Sequence, residues 1–89
     1  DIMKTFSATL SADEWTEILQ GGDALFFDIG SAVSVDITLT ETASTPADSA
    51  DCNQVQSWPN GWDFAATGLS SGVQRIWVRG GTTITGVRR

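Results

Sequence analysis

The sequence predicts an all-β protein: a small β-sandwich, jelly-roll-like, or a closed barrel, made of seven or eight short antiparallel strands. Three observations carry this. Apolar residues recur with a period of two, no segment sustains helical spacing, and turn signals centred on glycine or proline punctuate the chain. The clearest alternation sets Val33, Val35, Ile37 and Leu39 against Ser34, Asp36, Thr38 and Thr40, as in a strand with one buried face.

In chain order, residues 5–10 form a first strand rich in Thr, Phe and Ala. Residues 11–14 read as a turn, or as one helical turn capped by Ser11. A second strand spans residues 15–19 and ends at Gly21, Gly22 and Asp23. Leu25, Phe27 and Ile29 then alternate with Ala24, Phe26 and Asp28, and Gly30 predicts a hairpin into the strand over residues 33–40. A two-residue loop would place Phe27 beside Ser34. A three-residue loop over 30–32 pairs Ile29 with Val33, Phe27 with Val35 and Leu25 with Ile37, so apolar side chains share a face and this register is expected.

Residues 41–52 are the longest polar stretch and read as a mobile surface loop between sheet layers. Residues 53–58 and 62–67 predict two strands around Pro59, Asn60 and Gly61. Pro59 has no amide hydrogen to donate, which assigns this hairpin to a sheet edge. Residues 73–79 and 82–87 flank Gly80 and Gly81, the most clearly marked hairpin in the chain.

At 89 residues, the whole of 1–89 is one β-sandwich domain with room for a single core. Domains this small draw extra stability from disulfides, a metal or subunit association. Cys52 is the sole cysteine and histidine is absent, so an intrachain disulfide is excluded and the usual zinc ligand sets cannot be assembled. Association is the remaining device. The single thiol fits assembly in a reducing cytoplasm. No apolar run approaches the ~18–20 residues of a membrane span, and residues 1–6 lack the apolar core of a signal peptide.

Eleven acids against five bases give a formal net charge of −6, contrary to the clustered positive charge that nucleic-acid binding requires. Residues 1–51 carry ten of the acids and one base, Lys4, while the remainder carries Asp63 with Arg75, Arg79, Arg88 and Arg89. This division reads either as a solvated surface, or as an acidic edge that meets a basic edge on a neighbouring copy or partner.

Catalysis has little support. The absence of histidine removes the usual Ser-His-Asp and Cys-His arrangements, and Cys52 lies beside Asp51, whose charge disfavours a thiolate. Asp28, Asp36 and Asp63 are the interior carboxylates, expected at outward strand positions or in a turn and not facing each other across a sugar. Asp48 and Asp51 lack the spacing of a calcium loop. No glycine-rich phosphate loop follows a strand and opens a helix. No catalytic, cofactor or metal residue is therefore assigned.

The four tryptophans are the informative residues. Trp15 is expected to cap the core. Trp58 and Trp62 flank the Pro59–Gly61 turn and read as an aromatic plug, a protein-interface anchor or a sugar-stacking platform. In a two-residue turn at Gly80 and Gly81, Trp77 pairs with Ile84. One face of the hairpin then carries Ile76, Val78 and Val87, and the other carries Trp77 and Ile84 between Arg75 and Arg79. A sandwich buries one face of each sheet, so the second apolar face needs either the arginine stems or a neighbouring subunit over it. The expected interface is therefore Trp77, Ile84, Arg75 and Arg79, together with Trp58 and Trp62.

These residues bring out a resemblance. The Thr-containing opening strand at residues 7–10, Trp15 with Ile18, Gly21 and Gly22 after it, and the apolar strand at 24–29 come first. The Val-alternating strand at 33–39, the polar Ala/Thr/Pro stretch at 41–51 and the closing segment from Arg75 to Thr85 follow. Together they resemble a group of small β-sandwich proteins of tailed-bacteriophage particles. The likeness spans nearly the whole chain as a rhythm of strands and turns. It implies a virion structural protein, assembled in the host cytoplasm: a decoration or cement protein on the outside of the head, or a head-fibre or tail-associated part. Its partners would be copies of itself, as a trimer or other symmetric oligomer, and the major capsid protein or another virion protein. The segment from Trp58 to Trp62 is more aromatic than the group's pattern. It keeps open an alternative, a tail- or fibre-associated module binding a glycan or receptor.

Overall fold

The computed structural model describes residues 2–30, 34–58 and 61–89. Eight strands follow one another with no helix among these residues: β1 (Lys4–Thr9), β2 (Thr16–Gln20), β3 (Ala24–Asp28), β4 (Ser34–Thr40), β5 (Asn53–Gln56), β6 (Phe64–Thr67), β7 (Arg75–Arg79) and β8 (Thr83–Arg88). They form two four-stranded antiparallel sheets, in the orders β1-β8-β3-β6 and β2-β7-β4-β5. The sheets pack face to face without closing into a barrel, so of the two architectures expected the β-sandwich is the one adopted. The strand order is that of a jelly roll.

Of the seven connections between successive strands, only β4–β5 stays within one sheet; the other six pass from one sheet to the other. This corrects the expected hairpins. β3 and β4 lie in different sheets, so Phe27 faces Phe64 and Gly86, while Val35 faces Val55. The loop at 30–32 and the pairing of Ile29 with Val33 involve residues 31–33, outside those described. β5 and β6 likewise lie in opposite sheets, although both are edge strands as the proline argument required; Pro59 and Asn60 are themselves outside the described residues. Gly80 and Gly81 carry the chain from β7 in the second sheet to β8 in the first. Trp77 therefore pairs with Glu17 and Thr38, and Ile84 with Ala8.

The physical reason is common to these cases. A hairpin within one sheet would have placed apolar side chains on both of its faces. Crossing over lets Ile76 and Val78 point inward from the second sheet while Ile84 points inward from the first. The same device directs Leu25, Phe27 and Ile29 against Val35 and Ile37, forming one core in which Leu25, Phe27, Ile76, Val78 and Ile84 are fully buried. Phe27 and Phe64 stack within it at 5.2 Å between ring centroids. The bulge in the β2–β7 pairing between Glu17 and Leu19 lets Ile18 and Leu19 both be buried.

Candidate functional site

Two surfaces matter: the outer face of the second sheet, where the sequence placed an interface, and the end of the sandwich that carries Trp58 and Trp62.

On the outer face, Trp77 stands between Glu17 of β2 and Thr38 of β4. It is only 6% exposed, and its indole N–H donates to Thr40 Oγ1 at 2.8 Å. The cover is intramolecular. Residues 41–52 fold back over the sheet and bind it through their backbone carbonyls. Ala47 O accepts from Trp15 Nε1 at 3.0 Å, Asp48 O from Arg79 at 3.1 Å and Asp51 O from Thr38 Oγ1 at 2.9 Å. The Arg79 guanidinium also lies 4.1 Å from the centre of the Trp15 ring. Trp15 is thus buried on the outside of the second sheet, beneath this strap, and does not cap the core as expected.

The expected interface changes accordingly. Ile84 is fully buried in the core and Trp77 lies under the strap, so neither offers surface to a neighbour. Arg75 is paired with Glu17 at 3.2 Å and Arg79 with Asp36 at 3.5 Å. Arg89 pairs with Asp23 at 2.9 Å, and Arg88 donates to Ile18 O at 2.6 Å while stacking over Phe6. The acid-rich first part and the arginine-rich last part of the sequence therefore meet within the same molecule.

Trp58 and Trp62 are the expected contact residues that reach solvent freely, at 66% and 47% exposure. Asp63 organises the connection that bears them. One carboxylate oxygen accepts the backbone N–H of Trp58 and the other that of Ile29, each at 2.6 Å, while the Asp63 N–H donates to Phe27 O at 3.0 Å. These bonds tie the β5–β6 connection to the end of β3. Asp63 is thus an internal clamp, where the sequence had suggested a solvated turn charge. We expect Asp63→Ala to cost about 2 kcal/mol, because charge-assisted bonds to two amides are lost; urea unfolding of the two proteins measures it.

Phe26 extends the aromatic surface. It points outward from β3 while its neighbours Leu25 and Phe27 point inward, and its ring lies 6.1 Å from that of Trp62, tilted by 48°. Its ladder neighbours are Ala65 and Val87, so a small apolar surface runs from the tryptophans onto the outer face of the first sheet. Beyond it the same face turns to hydroxyls: Thr85 Oγ1 donates to Asp28 Oδ1 at 3.4 Å, and Thr9 and Thr83 face one another at 3.5 Å. Phe26 is not among the contact residues expected from the sequence. The signal was present in its outward phase within an otherwise buried strand.

A wide groove of about 820 Å³ lies along the open edges of β1 and β2, lined mainly by polar and charged residues such as Lys4, Glu17, Gln20 and Arg88. Among the described residues, no three His, Cys, Asp or Glu side chains are grouped to hold a metal ion. Asp28 and Asp36 engage Thr85 and Arg79, and Cys52 is exposed at the end of the strap. At the sandwich end, Trp58 and Trp62 are exposed on a connection that the Asp63 carboxylate fixes from behind, a surface suited to contact. Comparison with known protein families, with curated proteins and with solved structures finds no match to the chain.

Proposed function

We propose that this chain is a non-enzymatic structural protein of a tailed-bacteriophage virion, a capsid decoration or cement protein that binds the outside of the head and stabilises the shell. One observation carries the reading: Trp58 and Trp62 project from a connection that Asp63 anchors to the first sheet. Exposed tryptophans on a pre-ordered support are the usual anchors of protein interfaces, because they bury much area with little loss of conformational freedom. The resemblance of its strand-and-turn rhythm to that of small virion proteins supports the same reading. A protein that binds the assembled lattice and not its separated subunits stabilises the lattice by mass action.

The contact surface proposed is therefore the Trp58–Trp62 end, in place of Trp77 and Ile84. The double variant Trp58→Ala, Trp62→Ala should keep its fold by circular dichroism and lose at least about tenfold in affinity for mature particles. Unchanged occupancy would overturn the assignment.

The second reading, a tail- or fibre-associated glycan-binding module, is favoured by one specific feature. The hydroxyl-bearing outer face of the first sheet, with Thr85, Thr83 and Thr9, adjoins Phe26 and the indoles, so rings to stack sugars and groups to hydrogen-bond them lie side by side. Binding to a glycan array that disappears in Trp62→Ala, with no affinity for capsids, selects this reading.

A further inference from the structure

We infer that residues 41–52 form a lid that opens separately from the rest of the domain and, when open, exposes a second aromatic face made by Trp15 and Trp77. The inference follows from how the strap is held. Its side chains contribute almost no apolar burial: residues 41–51 are exposed except for Pro46 and Ala50, which are half-buried. It is held by its carbonyls, at Thr42 to Thr40, Ala47 to Trp15, Asp48 to Arg79 and Asp51 to Thr38, and by the apolar surface of the two indoles that it covers.

Those four points surround Trp77. Thr38 is its ladder partner on β4 and Thr40 accepts its indole N–H, while Arg79 lies two residues along β7 and Trp15 sits under Arg79. The strap joins β4 to β5, the one pair of successive strands that share a sheet. Lifting it therefore separates no strand pair and opens no part of the core between the sheets. The bonds from Thr40 and Arg79 are exposed and those from Trp15 and Thr38 part-buried, so all four exchange for bonds to water at lower cost than the sheet core, which opens only with the whole fold. The molecule thus holds two aromatic surfaces of different availability: Trp58 and Trp62 permanently displayed, Trp15 and Trp77 shown only when the lid lifts.

Native-state hydrogen exchange followed by NMR tests this on the intact protein. The indole proton of Trp15 bonds to the strap itself, and the amides of the central strand β7 serve as the reference for global unfolding. The Trp15 indole proton should show protection about a hundredfold below that of the β7 amides, with little dependence on low urea concentrations. Thr38→Val, which removes the bond to Asp51 O, should accelerate Trp15 indole exchange several-fold at those urea concentrations and keep it urea-independent. If the Trp15 indole proton and the β7 amides share one exchange free energy and one steep urea dependence, the strap is an integral part of the fold and the inference is wrong.

Discussion

Gly86→Val is expected to leave little or no folded protein at room temperature. Gly86 lies in the central strand β8, between Phe6 of β1 and Phe27 of β3. A Cβ at this position would stand 2.0 Å from Phe26 O and 2.7 Å from Phe27 Cα. Both are backbone atoms, so no rotation of a side chain relieves the overlap. β8 would have to separate from β3 in the middle of the first sheet. Overpacking a core ordinarily costs about 1–3 kcal/mol; a clash with backbone should exceed that range. Small domains hold total stabilities toward the lower end of roughly 5–15 kcal/mol. Urea unfolding by circular dichroism should show a large loss already in Gly86→Ala and no cooperative transition in Gly86→Val. Midpoints equal to that of the parent protein would contradict the close approach of β8 to β3.

The second large effect is expected at Trp77. On the sequence reading, Trp77→Glu would abolish particle binding and spare the isolated domain. In the structure the indole is a buried part of the domain, so the same substitution should destabilise the isolated protein by about 3 kcal/mol or more. The loss comprises the packed indole, its bond to Thr40 and the closure of the strap over it. The incoming carboxylate would also face Glu17, the ladder neighbour of Trp77, with which Arg75 is already paired. Thermal unfolding of the purified domain measures the effect. A melting temperature within a degree or two of the parent would show that the strap does not depend on the indole beneath it.

These two sites differ in how far the sequence could announce them. Gly86 interrupts a run of strand-forming residues, and glycine within a strand often marks a close backbone approach. Nothing local says that the approaching backbone belongs to Phe26 and Phe27. Trp77 was legible as the residue with no place in the core. The expectation that a subunit would cover it followed from counting two layers, whereas the chain supplies a partial third layer from its own polar loop. Alanine, aspartate and serine side chains carry no sign of this, because the strap is attached through peptide carbonyls that every residue possesses.

The exposed pair was easier to read. Trp58 and Trp62 flank the turn signal Pro59-Asn60-Gly61 in the sequence, and residues beside a connection at a sandwich end lie outside the core by geometry. The clamp behind them was not legible. Asp63 reaches the amide of Ile29, 34 positions earlier, and a contact of that span exists only once β3 and β6 are neighbours in the same sheet.

The positions of the strands, and for most of them the side chains that face inward, were readable from the sequence alone; Ile84, Val87 and Trp15 were the exceptions, because their facing depended on which sheet each segment enters. Alternation is a property of adjacent residues, and a one-residue error would turn a whole apolar set toward water. All eight segments expected as strands contain one, with ends differing by a residue or two. The tertiary structure decided which sheet receives each strand, what shields the indole on β7 and how the acidic and basic parts find each other. Turn chemistry specifies that the chain reverses. Whether it returns beside itself or across the sandwich depends on which arrangement buries the apolar faces of all eight strands together, a sum over the whole molecule that no local pattern contains.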